Sequence, residues 1–244
     1  MGKPADELYS ACLFCKIWTM KKFAGILFRW LCVPVFLLLT YALIWAELEA
    51  AVFFPKDHLT WIFAGGFLLG STLFTMVSRM TPLYVFGHET THWIMAKLFF
   101  KETGKFRCGG SSGYVEIKNP NVWIILAPYF IPFYFLLFTG IWGLLDLFYP
   151  GALGTFHPLL AGLLGLTYSY HLVLTFIALG KGQADLKHKG KVFSLSMILV
   201  MNALLFFLAT LTVTRQWKHG FYSLWSKILL LLQNLILEPL TNLF

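Results

Sequence analysis

The chain has 244 residues, of which 58% are apolar and only 12% are charged, and its formal net charge at pH 7 is +8. A soluble domain carries about 25% charged residues, and disorder requires low hydrophobicity with high charge, so the composition excludes both classes. It indicates an all-α polytopic membrane protein, integral and multi-pass. The cations lie between apolar segments, which favours the lipid bilayer with its anionic headgroups, and not nucleic acid, as their partner.

We predict six transmembrane helices within one domain, residues 1–244, because six apolar segments approach the length of about 20 residues that crosses a bilayer. The first is long enough to stay in the membrane, so we expect a span there and not a secretory signal peptide. Strict alternation of six spans divides the cations almost evenly between the two sides, so the positive-inside rule does not decide the orientation. The six segments are residues 23–46, 59–77, 82–100, 122–148, 156–179 and 192–213.

A seventh apolar stretch, residues 221–237, contains Lys227, Gln233 and Asn234. We therefore expect an interfacial helix there. Near the start of the chain, Cys12 and Cys15 form a C-x-x-C without a second cysteine pair. A four-thiolate zinc site is thereby excluded for this motif, and no disulfide framework is predicted.

The longest polar insert, residues 101–121, predicts a small β-hairpin between the third and fourth segments. Strands at 106–108 and 114–118 would flank a glycine- and serine-rich turn. Two roles are open for this hairpin: its second strand holds an unwound substrate by strand addition, or the hairpin is a plug at the membrane surface. In the next segment, Pro128 and Pro132 predict a bend.

The third segment contains an H-E-x-x-H motif made of His88, Glu89 and His92. Positions i and i+4 share one helix face, so both imidazoles can hold one metal ion, and Glu89 can accept a proton from a metal-bound water. Chance placement would produce the motif about 0.006 times in a chain of this composition. Each ionisable side chain costs about 2.5 to 3.5 kcal/mol in a membrane helix, which marks functional sites. The alternative is a buried polar network that joins helices.

A catalytic zinc ion takes three protein ligands and keeps a fourth position for water, so a third ligand must come from elsewhere. We favour Asp185, which precedes the sixth segment among cations that would keep its carboxylate ionised. The alternative for Asp185 is a solvated loop charge that neutralises Lys187 and Lys189. The other candidates are Asp146, Glu102, Glu116, Glu238, His157 and His171.

These residues resemble the site-2 protease family of membrane-embedded zinc metalloproteases, in its small bacterial form without a PDZ domain. The resemblance covers residues 87–202 and rests on the H-E-x-x-H helix, the hairpin at 109–117 and the later Asp185, although Leu186 stands where the family places glycine. It implies an endopeptidase in the bacterial inner membrane that cleaves a membrane protein or transmembrane peptide. Zn²⁺ would be held by His88, His92 and Asp185, and Glu89 would activate the zinc-bound water.

An oxyanion-stabilising donor is also expected near the metal. The sequence leaves its identity open among Asn119, Asn121, Asn202 and His171, and His171 serves equally well as a hydrogen-bonding residue between helices. Two other functions stay open. One is a different membrane zincin, whose H-E-x-x-H helix enters a soluble dome and whose third ligand is a glutamate. The other is a transporter or assembly factor that uses the polar helix structurally. The oligomeric state is unknown from the sequence.

Overall fold

The computed structural model describes residues 5–52, 58–77, 82–110, 112–151, 154–180, 184–187, 190–214 and 216–237. These ranges form a helical bundle with one small β-hairpin, which confirms the helical part of the expected fold and the hairpin. Short 3-10 turns cover Ala127–Tyr129, Gly154–Phe156 and Ala184–Lys187, and a π-helical turn covers Gln233–Leu237. The α-helices are α1 (Ala5–Val52), α2 (His58–Val77), α3 (Pro82–Leu98), α4 (Val122–Leu126), α5 (Phe133–Phe148), α6 (His157–Gly180), α7 (Lys191–Thr214) and α8 (Trp217–Leu232).

The prediction of six spans is not confirmed. Among the described residues, four helices are long and apolar enough to cross a membrane, and the segment Val122–Tyr129 with α5 makes a fifth if this bent pair counts as one span. Helix α3 has 17 residues, a length of about 25 Å, whereas the hydrocarbon core is about 30 Å thick. These four segments are Phe23–Glu49, His58–Met76, Gly154–Gly180 and Lys191–Thr214.

The predicted bend in the fourth segment is confirmed, and it is sharp. Val122–Tyr129 and α5 meet at 84°. Pro132 is the N-cap residue of α5, and it has no N–H with which to continue the preceding helix. The bend lies beside the site described below, because Tyr129 within it contacts Asp185 and His88.

The predicted hairpin is confirmed. Strand β1 (Thr103–Cys108) pairs antiparallel with β2 (Gly113–Ile117). Alternate residues of β2 are half-buried and exposed, as expected for a strand with one face against the protein. That face rests on α3, so the hairpin borders the H-E-x-x-H motif.

Helices α2 and α6 approach each other through glycines. A Cβ atom at Gly66 would lie 2.2 Å from the carbonyl oxygen of Gly162, and one at Gly165 would lie 2.1 Å from the carbonyl oxygen of Phe63. Such backbone contact is how small residues join membrane helices, where water does not drive association. This close contact packs α2 against α6, the helix that carries His171.

Helix α8 is held against α1 by polar contacts. Glu49 accepts a 2.7 Å hydrogen bond from Ser223 and forms a 2.9 Å ion pair with Lys227. The Lys227 ammonium also lies 4.7 Å from the centre of the Trp45 ring. Residues 221–237 are helical, as expected. Their location at the membrane interface stays a prediction. Cys32 and Cys108 are free thiols, and the side chains of Cys12 and Cys15 lie outside the described part.

Candidate metal centre

Helix α3 presents the two histidines of the motif on one face. The ring centres of His88 and His92 are 4.9 Å apart. Beyond Leu98 the helix ends in a Schellman arrangement, in which Lys101 N–H donates to the Ala96 carbonyl and Phe100 N–H donates to the Lys97 carbonyl. The chain then enters the hairpin directly.

Asp185 meets the two histidines. One ligand atom from each of His88, His92 and Asp185 can be chosen so that all three lie within 4.8 Å of one another. His92 Nε2 lies 3.9 Å from Asp185 Oδ2. Asp185 comes from the 3-10 turn that precedes α7, on a separate part of the chain. The structure thus brings together the three side chains that the sequence nominated as metal ligands.

His92 is oriented by a backbone carbonyl. Its Nδ1 lies 2.8 Å from the carbonyl oxygen of Ile124, and because a carbonyl only accepts, Nδ1 carries the proton. In the neutral ring Nε2 then keeps its lone pair, and this nitrogen faces Asp185. A metal-binding histidine characteristically donates its other ring N–H in this way.

Asp185 has a partner that sequence reasoning missed. The hydroxyl of Tyr129 donates a 2.8 Å hydrogen bond to Asp185 Oδ2. Tyr129 is fully buried, and its ring centre lies 5.2 Å from that of His88. The only local signal is its position between two prolines at the break of an apolar segment. Tyr129 therefore donates a hydrogen bond to one proposed ligand, Asp185, and its ring packs against another, His88.

Asn202 and His171 lie behind Tyr129. Asn202 Nδ2 donates to the carbonyl oxygens of Tyr129 and Ile198, at 2.8 and 2.9 Å. His171 Nε2 lies 3.3 Å from Asn202 Oδ1. These contacts connect α6 and α7 to the backbone at the bend. Asn202 and His171 therefore support the position of Tyr129.

Asn121 caps α4. Its side-chain oxygen accepts a 2.9 Å hydrogen bond from the Ile124 N–H, as an N-cap residue does. The carbonyl of the same Ile124 holds His92. Asn119 lies just beyond the hairpin with φ of 50°, in the left-handed region that asparagine tolerates. Asn121 thus acts on the site through the helix that orients His92.

A cleft of about 300 Å³ opens above the cluster. His88, Glu89, His92 and Asp185 all line it, together with β2 and α4. Glu89 is buried and lies against Gly113, where an added Cβ would be 2.7 Å from Glu89 Cγ. The absence of a side chain at Gly113 is what lets the strand lie this close to the carboxylate.

The remaining third-ligand candidates lie elsewhere. Glu102 forms an exposed 3.0 Å ion pair with Lys118, and Glu116 accepts a 3.1 Å hydrogen bond from the Lys105 N–H. Asp146 and His157 line a separate cavity between α5 and α6. Glu238 is outside the described residues. Within the described ranges no glutamate joins the cluster, so the glutamate-ligand alternative gains no support there.

The donor set fits a divalent transition metal. Two imidazoles and one carboxylate are typical zinc ligands, and three protein ligands leave a position for water. His88 Nδ1 is buried and has no hydrogen-bond partner among the described residues. An unsatisfied buried nitrogen is costly, and the three donors of the cluster line the cleft of about 300 Å³, which leaves room for water.

Comparisons with known protein families, curated proteins and solved structures give no match to this chain. The likeness to site-2 proteases therefore depends on the residues themselves. The geometry of those residues is the basis for a functional proposal.

Proposed function

We propose that this protein is a zinc-dependent endopeptidase of the site-2 protease type, which hydrolyses peptide bonds of membrane-associated substrates. We place it in the bacterial inner membrane, as the sequence resemblance implies. The observation that carries the proposal is the convergence of His88, His92 and Asp185 within 4.8 Å. A catalytic carboxylate, Glu89, lines the same cleft.

The chain's own residues have distinct roles in this reaction. His88, His92 and Asp185 would hold the metal, which when bound makes water acidic and polarises the scissile carbonyl. Glu89 takes a proton from the attacking water and delivers it to the amide nitrogen that leaves. Tyr129 and the Ile124 carbonyl keep two of the ligands in place. The hydrolysis consumes one water and releases a carboxylate and an amine.

Strand β2 is the surface on which we expect the substrate to extend. The sheet has two strands, and β2 lines the cleft beside Glu89. A helical substrate hides its peptide bonds, so it must unwind before cleavage, and main-chain hydrogen bonds to a strand edge would hold it extended. Val115 and Ile117, which line the cleft, would contact apolar substrate side chains.

The decisive experiment combines metal analysis with cleavage by the purified full chain in detergent. Wild type is expected to contain one zinc per chain and to cleave fluorogenic transmembrane peptides. Glu89→Gln should retain zinc and lose cleavage, because amide and carboxylate have the same shape but only the carboxylate accepts the proton. His92→Ala and Asp185→Ala should lose both zinc and cleavage.

Two results would contradict the proposal. A folded preparation that binds no metal, even with zinc added, would favour the transporter or assembly-factor alternative. Undiminished cleavage by Glu89→Gln would remove Glu89 as the base. Asp146→Ala is the matched control, since this carboxylate lies in the separate cavity beside His157, and it should leave zinc content and cleavage unchanged.

A further inference from the structure

We propose that the groove between α1 and the start of α7 binds one anionic phospholipid through Arg29 and Lys191. The groove encloses about 200 Å³, and both cations line it. Its remaining walls are largely apolar, from Ile26, Trp30 and Val33 of α1 and Phe193 of α7. A charged end and an apolar wall are the two features that a phospholipid requires.

No ion pair joins either cation to an acidic side chain in the part of the chain that the structure describes. The ion pairs among the described residues join His92 to Asp185, Lys118 to Glu102 and Lys227 to Glu49, and none of them includes Arg29 or Lys191. Arg29 is the seventh residue of the span Phe23–Glu49, about 9 Å along the helix from its first residue. A long cationic side chain near the end of a span extends to the level of the headgroups, where a lipid phosphate would pair with it.

The backbone at the start of α7 also attracts an anion to this groove. The first helical hydrogen bond runs from the Ser194 N–H to the Gly190 carbonyl. The N–H groups of Lys191, Val192 and Phe193 therefore precede the hydrogen-bonded part of a 24-residue helix and point toward its N-terminal end. Together with the two side-chain charges they form a positive surface suited to a phosphate.

The walls favour a lipid phosphate over free phosphate. Ile26 and Trp30 are 39% and 62% exposed, and both belong to a span, so they face acyl chains. Tryptophan is characteristic of the level of lipid headgroups, which places the phosphate near Arg29 and Lys191 while a fatty-acid chain lies along α1. Basic pockets between membrane helices bind anionic lipids in this way.

The test is lipid binding to the full-length chain in detergent, measured by native mass spectrometry. Dioleoyl phosphatidylglycerol competes with dioleoyl phosphatidylcholine, which has the same acyl chains and no net charge. We expect one phosphatidylglycerol per chain, preferred by about tenfold or more. The double variant R29Q/K191Q should bind the two lipids equally, and Arg29→Lys, which retains the charge, should keep the preference.

Lys218→Gln is the matched control, because it removes one charge from an exposed lysine beyond the opposite end of α7, and it should keep the preference. Thermal unfolding of every variant verifies the fold. The proposal is overturned if wild type shows no preference or if R29Q/K191Q retains it. It is equally overturned if excess inorganic phosphate displaces the lipid, since the groove would then be a free-phosphate site.

Discussion

The hydroxyl of Tyr129 donates a 2.8 Å hydrogen bond to Oδ2 of Asp185, across 56 residues of sequence. Asp185 lies on a four-residue 3-10 turn, which by itself gives its side chain little support. Tyr129, in contrast, is fully buried and fixed through its carbonyl by Asn202. The orientation of the proposed acidic ligand therefore depends on a tyrosine from the bend between α4 and α5.

Tyr129→Phe should weaken zinc binding by about 10- to 100-fold, the usual effect of losing a residue that orients a metal ligand. Affinity is measured by competition with a chelator of known strength. Tyr168→Phe is the control, because it also removes a buried hydroxyl, one that donates to the Asn202 carbonyl at 3.3 Å and does not contact Asp185. Equal affinity in wild type and Tyr129→Phe would show that Asp185 needs no such support.

Asn121→Ala should lower zinc affinity although Asn121 does not line the cleft. The cap contributes about 1 kcal/mol to α4, and its loss frees the first turn, including the Ile124 carbonyl that orients His92. Asn121→Ser restores the cap and should restore both affinity and cleavage. Cleavage that stays low in Asn121→Ser while zinc binding recovers would instead indicate that the amide contacts the reacting carbonyl.

Gly113→Ala should reduce cleavage and leave zinc affinity unchanged. The added Cβ would lie 2.7 Å from Glu89 Cγ and 2.9 Å from the Arg107 carbonyl oxygen, so the carboxylate or the strand must move. Gly110→Ala is the matched control, since its Cβ meets no atom within 4 Å, and it should cleave at the wild-type rate. Full activity in Gly113→Ala would mean that Glu89 tolerates displacement and is not positioned by β2.

Gly66→Ala should destabilise the protein by about 1 to 3 kcal/mol, the usual cost of overpacking, because its Cβ would collide with the Gly162 carbonyl oxygen. The free energy of unfolding in detergent is the measurement. Gly65→Ala, in the same helix but with nothing within 4 Å of its Cβ, should be neutral or stabilising by up to about 1 kcal/mol. Similar destabilisation by both substitutions would indicate a general helix effect and not the α2–α6 contact.

The features that depend on residues close together in the sequence could be predicted. Helical periodicity alone places His88 and His92 on one face of α3, and alternation around a glycine-rich turn defines the hairpin. Asp185 could be nominated from its position before the sixth segment, among cations, and from the family resemblance. Its meeting with His92 is a tertiary contact, which no local pattern contains.

The number of spans and the supporting residues could not be predicted. The third segment looks long enough only when Phe99 and Phe100 are counted, but α3 ends at Leu98 after 17 residues. The roles of Asn121 and Asn202 depend on backbone groups of Ile124 and Tyr129, and every residue offers the same backbone groups. The identity of a residue therefore does not indicate which distant amide will donate a hydrogen bond to its carbonyl.

One short stretch, from the Asn121 cap to Tyr129, supports two ligands that come from different parts of the chain. Deleting one residue between Ile124 and Tyr129 would rotate Tyr129 relative to Ile124 by about 100° around the helix axis, so His92 and Asp185 could not both keep their supports. Lengthening the exposed turn around Gly110 disturbs neither support. Insertions, tags and reporter domains therefore belong in the hairpin turn, and the nine residues of the stretch must keep their length in any redesigned version of this protein.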